Sequence, residues 1–254
     1  MRLLLLALAA LSSACATIVP SPRGELPTRP PEDAWTRVLQ TFVDQEGRVD
    51  FAGLSQDRAD LDRYVAWIYS AGPASRPELY RSREQVLAYH LNAYNALAMY
   101  NVVDAGIPLT NAGWGKVKFF FLRKVTVDGR RLSLRDYEND VIRKLGDSRV
   151  HFALNCMSVG CPRLPREPFR ASDLGEQLER EARRFFAEPR NARADDQART
   201  VYLSEILDFY PEDFLAAAPS LIAYANRFRE QALPLDYGVA FTPYDWTINR
   251  QPPP

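Results

Sequence analysis

Histidine is almost missing from this chain, with two residues in 254, and cysteine, at three, is little commoner. Imidazole and thiol chemistry is therefore confined to a handful of positions. Charge of one sign is also missing: Lys+Arg and Asp+Glu both number 32, giving a formal net charge of zero. That balance leaves no basic footprint for nucleic acid. No glycine-rich phosphate loop follows an apolar strand, which removes the common nucleotide-binding motifs. No internal repeat is visible, so a solenoid is excluded. The one uninterrupted apolar stretch at the start, residues 3–11, has nine residues and is too short to cross a bilayer.

What that stretch does resemble is an export signal. Arg2 supplies the positive end, residues 3–11 the apolar run, and Ser12, Ser13 and Ala14 the small residues before Cys15. We read residues 1–15 as a lipoprotein-type signal in which Cys15 is acylated; an ordinary cleaved signal is the alternative, since Ser12 stands where leucine is usual. Several acyl chains on Cys15 would anchor the protein stably, whereas one would hold it marginally. The expected setting is thus the cell envelope, exported and facing the periplasm or exterior, with the membrane as partner through Cys15. Residues 16–33 carry Pro20, Pro22, Pro27, Pro30 and Pro31 and read as an extended tether. Residues 34–249 form one domain, and 250–254 a disordered tail.

Apolar periodicity and capping residues predict helices over 32–44, 57–70, 82–105, 134–144, 172–187 and 218–230, with Ser82 and Ser172 as N-caps. Strands are predicted at 117–121, 125–127, 131–134, 149–154 and 200–203. Asp128-Gly129 between two of them favours a tight hairpin. Helices that precede, separate and follow a small hairpin-containing sheet give an α+β fold: a single domain with helices packed on a small, mostly antiparallel sheet.

One of the two histidines and two of the three cysteines fall between Arg149 and Pro162. Read as a strand, residues 149–154 alternate, with Val150, Phe152 and Leu154 on one face and His151 on the other. A regular strand would put His151 about 13 Å from Asn155, so the group that orients the imidazole must come from elsewhere. Asn92 and Asn95, three apart on one helix face, and Glu138 on another helix are the candidates. The chemistry would be that of a thiol enzyme: His151 as base, Cys156 or Cys161 as nucleophile. Cys156 is favoured, because Pro162 holds Cys161 in extended geometry. Against this stands a bland reading. A Cys156–Cys161 disulfide would stabilise the fold by about 2 kcal/mol, Asn92 and Asn95 would satisfy buried backbone, and Glu138 would be a solvated or ion-paired residue. His151 would be a hydrogen-bonded structural histidine, and His90 would pack in the core. No fourth ligand accompanies His151, Cys156 and Cys161, so neither a metal nor another cofactor is expected. The aromatics at 114–121 and 237–246 read as core.

The run Ala88-Tyr89-His90-Leu91-Asn92-Ala93-Tyr94-Asn95-Ala96, the hairpin and helix over 125–142, the His151 to Cys161 segment and Phe209-Tyr210-Pro211-Glu212-Asp213-Phe214 together resemble the domain of unknown function 547 family, from about Trp35 to Asn249. His90 departs from the tryptophan or phenylalanine common at that position. Members of that family occur as bacterial exported proteins, beside glutaredoxin domains and in plant proteins with a leucine-zipper region. The resemblance therefore implies no fixed reaction, and the glutaredoxin fusions suggest a redox link only by analogy. Two functions stay open: a thiol-dependent hydrolase, transferase or redox-linked enzyme acting on a small-molecule or peptide-like ligand, and a non-catalytic binding or scaffold module stapled by Cys156 and Cys161.

Overall fold

In the computed structural model, residues 16–22 and 26–252 are described, so Cys15 and the export signal lie outside the described residues. The helices in chain order are α1 (Glu32–Phe42), α2 (Phe51–Gln56), α3 (Ala59–Ser70), α4 (Arg83–Asp104), α5 (Trp114–Val117), α6 (Leu134–Tyr137), α7 (Leu174–Ala187), α8 (Ile206–Phe209), α9 (Pro211–Leu215) and α10 (Leu221–Asn226). The strands are β1 (Thr17–Ile18), β2 (Arg123–Val127), β3 (Arg130–Ser133), β4 (Ala192–Asp195), β5 (Thr200–Ser204) and β6 (Gly238–Thr242).

Helix α4 organises the whole. A capping box closes its start, where the Ser82 hydroxyl accepts from Gln85 N and the Gln85 side chain accepts from Ser82 N. Every residue from Leu87 to Val102 is buried, so α4 presents no solvent face to its surroundings. Helix α3 packs on it, and α1 packs on α3 and reaches α4 through the Trp35 Nε1 bond to Asn92. Any polar residue on such a helix must find a partner inside the protein.

The architecture is α+β, with two small sheets where one was expected. In the first, β2 and β3 form the antiparallel hairpin, with Asp128 (φ 50) and Gly129 (φ 75) both left-handed at its turn. Strand β1 adds to it in parallel, Thr17 opposite Arg123. In the second, β5 pairs with β4 antiparallel and with β6 parallel. Each sheet is therefore mixed. The added strands come from far along the chain, and long-range pairing leaves no local sequence signal.

Six further expectations are corrected. Residues 117–121 are not a strand: they continue α5 into a wide π-turn, Lys118–Leu122. Residues 149–154 are not a strand either. The Asp147 carboxylate accepts from Arg149 N and starts a tight 3₁₀ turn over Ser148–Phe152. Residues 150 to 155 are all buried, so the apolar alternation there does not mark a half-exposed strand. The proline-rich tether is seated in part: Val19 is buried, and the Pro20 carbonyl accepts from the Tyr69 and Tyr100 hydroxyls. Gln251 of the tail is tied down as well, donating from its backbone to Val49 O and from its side chain to Phe42 O. At α7, Asp173 rather than Ser172 is the N-cap, and the predicted 218–230 helix shortens to α10.

Two apolar clusters meet at the 3₁₀ turn. Val150, Leu154 and Met157 belong to the larger, built on α1, α3 and α4; Phe152 belongs to the smaller, built on α7 and the second sheet. The His151 to Cys161 segment is the seam between them. No helix among the described residues is long and apolar enough to cross a membrane.

Candidate functional site

His151 projects from the 3₁₀ turn into a cage of charge and aromatic faces. Its Nε2 lies 2.8 Å from Asp213 Oδ2 at the start of α9. Arg143 binds the same carboxylate through Nε at 2.7 Å and Nη2 at 3.0 Å. Burial alone would raise the Asp213 pKa, but the hydrogen bonds from His151 and Arg143 outweigh it and hold the carboxyl well below its usual range. Asp213 is thus ionised and can only accept, so Nε2 carries the proton it donates. In the neutral ring Nδ1 is then the free base, and it faces Glu138 Oε1 at 3.9 Å. Tyr210 stacks on the imidazole at 4.4 Å between centroids, and Phe214 packs against it at a tilt, 5.1 Å away.

Glu138 opens a second π-turn, Glu138–Ile142, directly after α6. A π-turn adds a residue to the helical circuit and re-aims the side chain that it carries. Here the buried Glu138 carboxylate accepts from the Tyr94 hydroxyl on α4 at 3.2 Å. Burial and the Glu138 charge together push the Tyr210 phenol far above its ordinary value, so it keeps its proton.

The two cysteines are buried and in contact without a bond between them, Sγ to Sγ 2.9 Å. The Tyr244 hydroxyl reaches both, at 3.2 Å from Cys156 and 2.9 Å from Cys161. Burial opposes a charge on Cys156, but the Cys161 thiol and the Tyr244 hydroxyl outweigh it and bring the Cys156 thiol below its usual value. Cys161, as deeply buried and facing that sulfur, is pushed well above. The pair therefore releases one proton readily and the second with difficulty.

Asn155 staples the loop that carries both sulfurs. Its side-chain oxygen accepts from Met157 N at 2.7 Å and its amide donates to Pro162 O at 2.8 Å. Met157 sits at φ 65, a left-handed conformation uncommon for a long side chain. Gly160 is needed for close approach: a Cβ there would lie 2.8 Å from Asp245 N and 2.9 Å from the Tyr244 ring. The loop pairs with the closing segment, Val159 N to Thr247 O and Gly160 N to Asp245 O, and this is what delivers Tyr244.

Of the residues picked out in the sequence, His151, Cys156, Cys161 and Glu138 line one cavity of about 70 Å³. Asn95 stands one layer behind it. Its amide donates to Ala153 O and its oxygen accepts from Asn155 N, so it positions the loop. Asn92 lies elsewhere, engaged with Trp35 Nε1 and with both backbone groups of Phe169. His90 is a core residue, Nδ1 against the Tyr137 hydroxyl at 2.8 Å. The cavity adjoins an outer groove of about 260 Å³, and Phe120, Glu138, Phe209, Tyr210 and Trp246 line both. Phe120, Phe121, Tyr244 and Trp246 are thus walls of the site and not core. Asp213, Arg143, Tyr94, Tyr210 and Tyr244 are positions of this candidate site to which reasoning from the sequence gave no site role, although Tyr94, Tyr210 and Asp213 lie in the motifs that carry the family resemblance. Among the described residues no group of three or more His, Cys, Asp or Glu is arranged to hold a metal ion.

Residues 79–186 match the family model described as protein of unknown function, DUF547. The DUF547 match contains α4, both π-turns and the His151 to Cys161 segment, and it ends inside α7. Asp213, which holds His151, and Tyr210, Tyr244 and Trp246, which line the cavity, come from beyond it. No curated protein and no solved structure matches the chain.

Proposed function

We propose that the chain is a thiol-dependent, redox-linked enzyme in which Cys156 and Cys161 exchange a disulfide with a small substrate disulfide. The observation that carries this reading is the 2.9 Å contact between two sulfurs that share the Tyr244 hydroxyl in the wall of the His151 cavity. In the first step the Cys156 thiolate attacks one substrate sulfur, the substrate S–S bond breaks, and one thiolate leaves. In the second, Cys161, its proton passed to His151 Nδ1 or Glu138, attacks Cys156 Sγ and expels the other half as a thiolate. Two electrons pass from the cysteine pair to the substrate, which departs as two thiols. Asp213 serves by holding the His151 tautomer that leaves Nδ1 free.

A second reading is acyl transfer through a Cys156 thioester, and the His151–Asp213 pair favours it, because a histidine oriented by a carboxylate is the usual activator of a thiol. Counting thiols separates the readings. When the reduced protein meets 2-hydroxyethyl disulfide, two thiols per chain are expected to disappear together and to return with dithiothreitol. A pair that stays reduced overturns the redox reading in favour of acyl transfer. A pair that is already oxidised in natively exported protein, and whose reduction alters only stability, leaves the disulfide-stapled scaffold.

We further propose that the enzyme works in the cell envelope, held to a membrane through acylated Cys15, on the strength of the Arg2 to Cys15 pattern. Cys15→Ser is expected to move the protein to the soluble fraction. Retention of the variant in the membrane fraction at the parent's level contradicts the anchor.

A further inference from the structure

The outer groove carries an unbalanced charge. Two cations line it, Lys116 and Arg135, and neither has a carboxylate within ion-pair distance among the described residues. Their neighbours do: Lys124 pairs with Asp136 at 3.1 Å, and Arg143 with Asp213 at 2.7 Å. Aromatic faces hold the two groove cations instead. Lys116 Nζ lies 4.2 Å from the centre of the Trp246 ring and 5.3 Å from that of Phe209, and the Arg135 guanidinium lies 5.3 Å from Phe121. A ring face positions a cation without neutralising it. The one acid of the groove wall, Glu138, is buried at the inner end and turned toward Tyr94 and His151.

We infer that this groove is a subsite for the anionic end of the substrate, so that the enzyme takes a small disulfide bearing carboxylates. The inference rests on the thiol-exchange reading and adds its substrate class. Inner cavity and outer groove divide the substrate between them. The inner cavity, about 70 Å³ beside the two sulfurs, is the smaller of the two spaces and takes the reacting disulfide. A carboxylate a few bonds further out falls between Lys116 and Arg135, while the intervening carbons lie on Phe120, Phe209 and Trp246. An ammonium in the same place meets two like charges.

Three small disulfides of similar length test this: 3,3′-dithiodipropionate (anionic), 2-hydroxyethyl disulfide (neutral) and cystamine (cationic). The rate at which each oxidises the reduced protein is divided by its rate with free 2-mercaptoethanol, which removes intrinsic reactivity. The order expected is anionic over neutral over cationic. In the Lys116→Met/Arg135→Met double variant the anionic rate should fall by about tenfold, the size expected of two partly screened charges, while the neutral rate stays within about twofold. Raising the ionic strength should compress the wild-type preference in the same direction. Exchange with no charge order, or an equal fall for the anionic and neutral reagents in the variant, overturns the subsite while leaving thiol exchange standing. Exchange with none of the three overturns thiol exchange itself, and the subsite with it.

Discussion

Asp213→Ala is expected to destabilise the protein by about 3 kcal/mol and to slow thiol exchange by about a hundredfold. The carboxylate receives the imidazole Nε2–H and two bonds from Arg143. Removing it leaves a buried imidazole donor unpaired, a loss of about 1–3 kcal/mol, and strips Arg143 of its better partner. Breaking a fully buried pair costs about 3–5 kcal/mol. The Asp213 side chain is 24% exposed, so water screens part of the attraction and the lower end applies. Asp213→Asn keeps an acceptor of the same shape and should lose about 1 kcal/mol. The pH dependence has a definite sign. The folded pKa of Asp213 lies below its unfolded value, so its contribution is fully present above about pH 4 and is lost as the pH falls further. Denaturant unfolding at pH 7 and pH 3 checks both points. Wild type and Asp213→Asn should differ at pH 7, and the gap between them should narrow at pH 3. An alanine variant within about 0.5 kcal/mol of wild type at pH 7, the range of an ordinary surface substitution, would contradict the placement of Asp213 as the holder of His151.

The second large effect comes from the other histidine. Burial lowers the His90 pKa from 6.5 to about 4, the nearby Asp128 charge offsetting only part of it. The ring is neutral in the fold and charged in the unfolded chain between those values. Its contribution is therefore complete above about pH 6.5 and is lost as the pH falls to about 4, which amounts to about 3 kcal/mol at 1.36 kcal/mol per pKa unit. His90→Phe removes the titration. It also removes the partner of the Tyr137 hydroxyl, a loss of about 1 kcal/mol. The stability curves of wild type and variant should therefore cross, wild type being the more stable at pH 8 and the phenylalanine variant at pH 4.5. Parallel curves across that range would show that His90 does not titrate on unfolding.

The parts of the structure that were legible in the sequence are those with local signals. The α4 helix announces itself through the Ser82–Gln85 cap and an apolar run of several turns, and the β2–β3 hairpin through Asp128-Gly129. The concentration of scarce residue types between His151 and Cys161 marked a segment that lines the cavity. Its geometry was not legible, because the alternation of residues 149–154 imitates a strand while the Asp147 side chain turns the backbone into a 3₁₀ circuit. The partner of His151 was missed for a related reason. Asp213 lies 62 positions away, and nothing in Tyr210-Pro211-Glu212-Asp213 distinguishes an acid that caps an imidazole from one that begins a solvated helix. Proline at the first position of α9 and two acids after it are common helix-start chemistry. Tyr244 and Trp246 read as core because the faces they turn to the cavity are apolar, and only the close approach allowed by Gly160 puts the Tyr244 hydroxyl on the sulfurs. The Asn92 and Asn95 pair shows the limit of face-sharing arguments: three residues apart on one helix, they serve two different layers.

Thiol exchange at the Cys156–Cys161 pair is the centre of this account, and trapping its intermediate tests it most directly. The reduced Cys161→Ser and Cys156→Ser proteins are each exposed to 3,3′-dithiodipropionate, quenched in acid and weighed by intact-mass spectrometry. Cys161→Ser is expected to accumulate one mixed disulfide at Cys156, since the attacking thiol remains and the resolving one is gone. Cys156→Ser should react more slowly by about tenfold, because burial, the largest cause raising the Cys161 pKa, acts on that sulfur with or without Cys156. Wild type should carry no adduct and show only the loss of two hydrogens. An adduct on neither variant, or equal adducts formed at equal rates on both, would contradict the assignment of Cys156 as the attacking sulfur and Cys161 as its resolving partner.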